Sequence, residues 1–290
     1  MTALCIGKFD ALHRGHRELV LRALTHAGAG RIALLGFSGM PEALGWERRL
    51  PLIAPEDRPR ILATWPGAPR EVYLPFADVR PLDALGFLHL VRERCGATAL
   101  VVGEDFRGGR ERAADAQAFA TAGAAVGLPV DIVAAVRDSD GPVSSTRVRA
   151  ALAAGDVSLV AELLGRPQRL LGTVVRGDGR GRSIGIPTAN LGERHNQEPG
   201  PGVYAAWAWL DGQRYAAAVN VGHVPTAGSG RVLTVEAHLL GYNSDCYGQP
   251  LALDLMARVR DERKFPDFAA LVAQIRSDIA LVPELLAALS

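Results

Sequence analysis

Short apolar runs alternate with helix-like segments over the first half of the chain. The runs, each typical of a buried strand, cover residues 2–6, 31–37, 71–76, 98–104 and 129–136. Apolar residues recur at helical spacing between them, over 16–27, 82–94 and 112–126. Strands that alternate with helices predict an α/β domain with a parallel, doubly wound sheet. Ligands of such sheets bind beyond the carboxyl ends of the strands.

The second half has a different pattern, in which strands follow one another without helices between them. Glycine and proline turns separate the strand-like segments, which are 169–177, 202–210, 214–222, 231–240 and 250–260. This pattern predicts an antiparallel barrel, and the amphipathic segment 268–281 predicts a closing C-terminal helix. Two helices over 144–156 and 157–167 precede the barrel. We therefore expect two domains, 1–165 and 166–290.

The composition excludes several classes of protein. With 48% hydrophobic and 22% charged residues, the 290-residue chain is typical of a globular protein. A net charge of +1 argues against nucleic-acid binding through bulk charge. Cys5, Cys95 and Cys246 lack metal-ligand spacing and predict reduced thiols in a cytoplasmic protein. We expect neither a signal peptide nor a membrane span. The sequence carries no signal for or against self-association.

Two histidines follow the first strand, in the stretch GKFDALHRGH (7–16). Gly7 and Gly15 permit a ligand to approach the backbone closely, and a helix N-terminus attracts phosphate groups. His13 and His16 could donate hydrogen bonds to phosphoryl oxygens as charge builds on them. A surface pair is the alternative, which the glycines and the position at a strand end disfavour.

A second motif, SSTRVR (144–149), opens a later helix. The hydroxyls of Ser145 and Thr146 with the guanidinium of Arg149 suit a polyphosphate, whereas a simple helix cap is the alternative. Together with the two histidines, this motif resembles the nucleotidylyltransferase superfamily. The resemblance implies that the histidines stabilise the α-phosphate under attack and that the second motif holds the outgoing pyrophosphate. The ATP-binding residues that it implies are Gly7, Phe9, Asp10, His13, Gly15, His16, Ser145, Thr146 and Arg149.

The barrel half opens on a glycine-rich loop in the stretch GDGRGRSIGIPTANL (177–191). Such a loop can approach phosphates closely, although a plain hairpin is the alternative. Thr188 and Asn190 offer oxygen ligands acceptable to a Mg²⁺ ion held mainly by phosphates. In LTVEAHL (233–239), alternation puts Glu236 on the polar face. There it could take a proton from an attacking hydroxyl, or be an ordinary solvent-facing glutamate.

The second half resembles riboflavin kinase in the stretches PTAN, VEAHLL, YGQPLAL and RDERKF. The first half resembles the adenylyltransferase of the bacterial bifunctional flavin enzyme in GKFDALHRGH, VVGEDFRGG and SSTRVRAALAAGDV. The resemblance implies a Rossmann-like nucleotidylyltransferase domain followed by a six-stranded antiparallel β-barrel with a C-terminal helix. It implies ATP-dependent phosphorylation of riboflavin to FMN and adenylylation of FMN to FAD, with Mg²⁺ as the metal and pyrophosphate as the second product of the adenylylation.

The resemblance also implies roles for residues of the kinase half. Glu236 would be the base for the ribityl 5′-hydroxyl, and Thr188 and Asn190 would be the Mg-ATP ligands. The implied ATP-binding residues of this half are Gly177, Gly179, Gly181, Arg182, Pro187, Thr188 and Asn190. Flavin contacts are expected from the RDERKF stretch, at Arg260, Glu262, Arg263 and Phe265.

Two positions depart from the family pattern. Met40 stands where the family has a histidine of the nucleotide site, and a thioether cannot donate a hydrogen bond or carry charge. Gly108 stands where an aromatic residue is usual. A bifunctional enzyme is the first interpretation, with Arg48 or Arg49 as possible sources of the missing charge. The alternative is a riboflavin kinase whose first half is weakened or silent in adenylyl transfer. A flavin- or RNA-binding regulator is a third, which the near-neutral charge disfavours.

Overall fold

The structure is a computed structural model of the 290-residue chain. It describes residues 2–27, 30–45, 47, 49–177, 179, 181, 184–225 and 231–289, with the backbone alone at 224, 225 and 231. These residues pack into two compact units. Unit 1 comprises Met1–Arg49 and Glu56–Ser144, and unit 2 comprises Leu50–Pro55 and Ser145–Ser290. The chain therefore enters unit 2 briefly before it completes unit 1.

Unit 1 is built on a five-stranded parallel sheet. Its strands are β1 (Thr2–Ile6), β2 (Arg31–Ser38), β3 (Arg70–Pro75), β4 (Ala97–Gly103) and β7 (Val130–Val133), in the order β3-β2-β1-β4-β7. Two short pairs lie outside the sheet: β5 (Arg107–Gly108) with β6 (Ala114–Asp115), and β8 (Arg137–Asp138) with β9 (Gly141–Pro142). Every residue of β1 is buried, as expected for a central strand covered on both faces. The predicted parallel sheet is confirmed.

Unit 1 also contains helices, some of which begin at a capping aspartate and end at a glycine. They are α1 (Arg14–Ala27), α2 (Met40–Ala43), α3 (Arg58–Ala63), α4 (Phe76–Val79), α5 (Ala84–Cys95) and α6 (Ala116–Val126), with 3₁₀ turns at Pro55–Asp57 and Arg110–Arg112. The Asp115 carboxylate accepts a hydrogen bond from the backbone N–H of Ala118 at 2.9 Å, so α6 begins four residues later than the predicted start at 112. Gly127 ends it with φ of 66°.

Unit 2 contains a closed antiparallel barrel of six strands. They are β10 (Gln168–Val175), β11 (Ala189–Arg194), β12 (Gly202–Leu210), β13 (Gln213–Pro225), β14 (Arg231–Leu239) and β15 (Pro250–Arg260), in the order β10-β11-β14-β13-β12-β15. The six-stranded barrel confirms the expected fold class. Strand β11 escapes the pattern-based prediction because Pro187 precedes it and Gly192 interrupts it. A Cβ at Gly192 would lie 2.4 Å from a Val175 methyl carbon, which explains the glycine.

Among the described residues, the helices that accompany the barrel include α7 (Ser145–Ala153), α8 (Val157–Leu164) and α9 (Phe268–Ala288). The predicted end of the last helix at 281 is too early, because α9 continues through Pro283. Val157 of α8 is fully buried in the same core cluster as the barrel strands. The structure therefore groups α7 and α8 with the barrel, whereas the expected division between residues 165 and 166 separates them from it. That division stays a prediction about independently folding domains.

Candidate active sites

The two predicted histidines are buried at the start of α1. His13 is 7% exposed and His16 is 9% exposed, so the alternative of a surface pair is wrong. Their rings stack with centroids 3.6 Å apart and planes 16° from parallel. The backbone N–H of each residue donates to Nδ1 of the other at 3.3 Å. The pair is thus held rigidly at the carboxyl end of β1, where a doubly wound sheet binds its ligands.

These hydrogen bonds favour one tautomer of each ring in its neutral form. A neutral imidazole whose Nδ1 accepts a hydrogen bond carries its proton on Nε2. In that tautomer each histidine offers an Nε2–H group, which is the kind of donor that phosphoryl oxygens require. Phe9 packs edge-on against His16 with centroids 5.0 Å apart. A Cβ at Gly15 would lie 3.1 Å from the His13 ring, so the glycine makes room for that imidazole.

The loop before the histidines combines backbone strain with positive charge. Leu12, which is fully buried, has a φ of 45°, and the left-handed region costs such a residue about 1–2 kcal/mol. Burial lowers the pKa of Lys8, and the positive charge of Arg112 lowers it further. Cations brought together in this way favour an anion between or beside them. Neither Lys8 nor Arg112 was predicted from the sequence, although Lys8 lies inside the GKFD motif, two residues before Asp10.

The second motif of the adenylyltransferase resemblance lies in unit 2, whereas the histidines lie in unit 1. Ser145 and Thr146 begin α7. The guanidinium of Arg149 donates from Nη1 to the side-chain oxygen of Gln197 at 2.5 Å and to the carbonyl of Leu50 at 3.2 Å. Joint binding of one ATP molecule by the two motifs stays a prediction.

Met40 begins the short helix α2, after Gly39 in the left-handed conformation with φ of 70°. The thioether is half-buried and brings no hydrogen-bond donor to this segment. Arg48, one expected source of the missing charge, lies outside the described residues. The side chain of Arg49, the other, is 71% exposed and lies 4.0 Å from Glu47.

Gly108 has no room for the aromatic side chain that the family usually carries. A Cβ there would lie 2.9 Å from the ring of Phe106 and 3.1 Å from that of Phe119. These two rings pack edge to face with centroids 5.1 Å apart, so they already fill the space beside residue 108.

Strand β14 presents one polar face, on which Glu236 is the central residue. Val235 and Ala237 point into the barrel core, which confirms the predicted alternation. In register, Glu236 lies opposite Asn190 of β11. The hydroxyl of Thr188 lies 3.5 Å from a Glu236 carboxylate oxygen. The structure thus brings together the three predicted kinase residues, and Glu236 is not an isolated solvent-facing glutamate.

Each described glycine of the glycine-rich loop has its own structural reason. A Cβ at Gly177 would lie 2.4 Å from the side-chain nitrogen of Asn190, and one at Gly181 would lie 2.3 Å from the carbonyl oxygen of Ile186. Gly179 has a φ of 70°, which favours glycine. The loop therefore packs directly against the Asn190 side chain. The predicted ligand Arg182 lies outside the described residues.

A cavity of about 320 Å³ opens beside Thr188. Its lining residues are Gly185, Pro187, Thr188, Ala189, Ala237, Leu239, Tyr242, Asn243, Ser244, Asp245, Cys246 and Tyr247. The loop 242–247 was not predicted as part of a site, although it is a polar turn with a tyrosine at each end, Tyr242 and Tyr247. His238 Nδ1 lies 2.7 Å from the carbonyl oxygen of Pro187 and fixes the cavity wall to β14. Burial, and next the negative charge of Asp245, raise the pKa of the Cys246 thiol.

The expected flavin residues form a network between β15 and α9. Arg260 Nε donates to the Asp278 carboxylate at 2.9 Å, and Asp278 is only 3% exposed. The Arg263 guanidinium stacks over the Phe265 ring at 4.9 Å. A Cβ at Gly222 would lie 2.9 Å from a Glu262 carboxylate oxygen, which brings this segment to the face of β13.

Glu236 lies between the Glu262 side of the barrel and the cavity. Thr234, two residues before Glu236 on the same face of β14, donates its hydroxyl to the carbonyl of Gly222 at 3.2 Å, on the side of Glu262. Thr188 and the cavity lie on the other side. A carboxylate in this position can take a proton from a hydroxyl on one side while a phosphate donor lies on the other.

The oxygen atoms around Glu236 fit a hard cation held mainly by phosphates. Thr188 and Asn190 supply neutral oxygens, and Glu236 supplies a carboxylate. Within the described ranges, no group of three or more histidine, cysteine, aspartate or glutamate side chains could hold a metal ion. A Mg²⁺ ion here would therefore depend on the nucleotide for most of its ligands. In the same part of the chain, no helix combines the length and apolar character needed to cross a membrane.

Two family models match separate parts of the chain: FAD synthetase over residues 1–147 and riboflavin kinase over residues 164–286. The bifunctional riboflavin kinase/FMN adenylyltransferases of Pseudomonas fluorescens and Escherichia coli are each 34% identical, over 95% of this chain and 90% of theirs. FAD synthetase 1, chloroplastic, of Arabidopsis thaliana is 37% identical over 75% of this chain and 66% of the plant protein. The chain thus spans about two thirds of the plant protein's length.

One solved crystal structure is also similar to nearly the whole chain. A macrolide-efflux protein from Streptococcus pneumoniae is 29% identical, with a TM-score of 0.86, over 97% of this chain and 93% of that one. Its name concerns efflux, whereas both matched family models concern flavin enzymes. The matches confirm the expected riboflavin kinase half and FMN adenylyltransferase half, with ATP, riboflavin, FMN and FAD as substrates and products. The chain belongs to the family of bifunctional riboflavin kinase/FMN adenylyltransferases.

Proposed function

We propose that phosphorylation of riboflavin takes place at Glu236, between the cavity and the RDERKF segment. The position of Glu236 on β14, 3.5 Å from the Thr188 hydroxyl and beside Asn190, is the observation that carries this assignment. The cavity of about 320 Å³ would receive the nucleoside part of ATP. The flavin would lie on the side of Arg260, Glu262, Arg263 and Phe265.

In this mechanism the ribityl 5′-oxygen attacks the γ-phosphorus of ATP and ADP leaves. The proton of the 5′-hydroxyl passes to the Glu236 carboxylate, which makes the oxygen a better nucleophile. Thr188 and Asn190 would hold Mg²⁺ together with the ATP phosphates, and the ion would offset the negative charge of those phosphates. Gly177 would leave room for the Asn190 side chain, and Gly179 and Gly181 would let the loop backbone approach the phosphates closely.

Adenylyl transfer is proposed to depend on the two histidines. A phosphate oxygen of FMN attacks the α-phosphorus of ATP, and pyrophosphate leaves. FMN's phosphate is already ionised, so no general base is needed. The Nε2–H groups of His13 and His16 would donate to the α-phosphate as negative charge builds on it. Ser145, Thr146 and Arg149 are proposed to hold the pyrophosphate, a role that the family resemblance supports.

The alternative of a silent first half gains no support. The FAD synthetase model matches residues 1–147, a range that includes Met40. The burial and stacking of the two histidines support the proposal that they act as donors. We therefore propose an active adenylyltransferase. A cytoplasmic location is also proposed, because the three cysteines are free thiols.

Two incubations with ATP and Mg²⁺, one with riboflavin and one with added FMN, test the division of labour. In each of them FMN and FAD are separated by chromatography. Glu236→Gln should lower FMN formation by about 100- to 10,000-fold, the usual contribution of a general base, while FAD formation from added FMN persists. Glu193→Gln, on the neighbouring strand and exposed, is the matched control. A near-normal rate of FMN formation in Glu236→Gln would refute the assignment.

A further inference from the structure

A short segment from the first half of the sequence is built into unit 2. The carbonyl oxygen of Leu52, in the segment 50–55, accepts hydrogen bonds from the side-chain amides of Gln168 at 2.5 Å and Asn196 at 3.2 Å. Leu52 and Asn196 are both completely buried. The side-chain oxygen of Asn196 accepts from the backbone N–H of Leu171 at 3.0 Å. The segment is therefore fixed to the start of the barrel by buried polar contacts.

The next residue, Gln197, extends these contacts to Arg149. Its backbone N–H donates to the carbonyl of Pro51 at 2.9 Å. Its side-chain oxygen accepts from Arg149 Nη1 at 2.5 Å, and the carbonyl of Leu50 accepts from the same nitrogen at 3.2 Å. The backbone contact to Pro51 thus places the side-chain amide where it can hold the guanidinium.

The side-chain oxygen of Gln197 and the peptide carbonyl of Leu50 both orient the guanidinium, because they fix the direction of Arg149 Nη1. Fixing an arginine side chain in advance also removes part of the rotamer entropy that anion binding would otherwise cost. This arrangement suits an arginine that must meet an anionic group in a defined orientation.

We propose that Gln197 is a positioning residue for adenylyl transfer, acting through Arg149. The inference rests on the proposed role of Arg149 in holding pyrophosphate. Gln197 lies within residues 164–286, the range of the riboflavin kinase match. The half of the sequence that resembles a kinase therefore supplies a residue on which FAD formation depends, and FMN formation does not need it.

The test uses the full chain and measures both reactions. Gln197→Ala should lower kcat/KM for FAD formation by about 10-fold, the size expected when a hydrogen bond to a charged group is lost. The KM for pyrophosphate in the reverse reaction should rise by a similar factor. FMN formation by the same sample should stay unchanged, which shows that the variant is folded. Gln213→Ala, in the hairpin between β12 and β13, is the matched control and should change neither reaction.

A double-mutant cycle with Arg149→Ala separates the possible failures. If Gln197 acts through Arg149, Gln197→Ala should have no further effect in the Arg149→Ala background. The positioning role would be overturned if Gln197→Ala lowered FAD formation equally with Arg149 present and with Arg149→Ala. It would also be overturned if Arg149→Ala lowered FAD formation and Gln197→Ala did not. Unchanged FAD formation in Arg149→Ala would instead overturn the proposed role of Arg149 itself.

Discussion

Replacing Gly177 by alanine should damage the kinase by moving one side chain. The new Cβ would lie 2.4 Å from the Asn190 side-chain nitrogen, whereas ordinary contacts begin at 3.4 Å. The amide must therefore move by about 1 Å. Such a rotation costs about 0.5–1.5 kcal/mol, which a folded domain tolerates. We expect the protein to stay folded while the Asn190 oxygen leaves its proposed place beside the ATP phosphates.

The expected loss of activity follows from that displacement. Loss of one interaction with a charged group amounts to about 1.5–3 kcal/mol, or about 10- to 150-fold in kcat/KM for FMN formation. The loss should appear mainly as a higher requirement for ATP and Mg²⁺. FAD formation from added FMN should not change, because Gly177 and Asn190 serve only the kinase in the proposed mechanism.

Asn190→Ala and the double variant complete the experiment. Because both substitutions remove the same oxygen, Gly177→Ala/Asn190→Ala should be no slower than the worse single variant. Initial rates of FMN formation over a range of ATP concentrations measure this directly. Multiplying effects in the double variant would show that Gly177 acts on the nucleotide independently of Asn190 and would refute the reasoning.

Three further predictions concern other parts of the chain. His16→Ala should lower FAD formation by about 100- to 1,000-fold and spare FMN formation, and unchanged FAD formation would contradict the role of His16 as a donor to the α-phosphate. Met40→His should raise FAD formation only if the adenylyltransferase site lacks a hydrogen-bond donor. Asn196→Leu should lower the free energy of unfolding, measured in urea, by about 3 kcal/mol, because the buried Leu171 N–H and the buried Leu52 carbonyl each lose a hydrogen bond. A loss below about 1 kcal/mol would contradict this prediction. Alkylation of Cys246 by iodoacetamide should need a higher pH than alkylation of an exposed cysteine, because the raised pKa of the thiol delays formation of the reactive thiolate; Cys246→Ser is the control. ATP should slow the alkylation, and a rate that ATP does not change would place the nucleotide outside the cavity.

Much of the fold follows from periodicity in the sequence. The central strand β1 has the same limits, residues 2–6, in the prediction and in the structure, because burial on both faces requires an unbroken apolar run. Helix α9 shows a limit of such reasoning. Its predicted end at 281 is too early, because the helix continues through Pro283, where Val282 and Leu286 pack against the barrel.

Only part of each candidate site could be predicted from the sequence, because sequence patterns mark residues that are close along the chain. Residues next to each other in a motif, such as His13 and His16, or on one strand face, such as Glu236, can be found from local spacing. Gln197 could not be found in this way, because its proposed role depends on hydrogen bonds to Arg149, nearly 50 positions earlier in the chain, and to Pro51, about 150 positions earlier. No periodic pattern marks such contacts.

The segment 50–55 also has a consequence for protein synthesis. Its buried residues Leu52, Ile53 and Ala54 leave the ribosome long before Asn196, which binds the Leu52 carbonyl in the finished protein. At about 5–20 residues per second, the roughly 140 intervening residues take about 7–30 seconds to make. An apolar stretch stays uncovered for that interval, which makes it a natural place for a chaperone to bind the nascent chain.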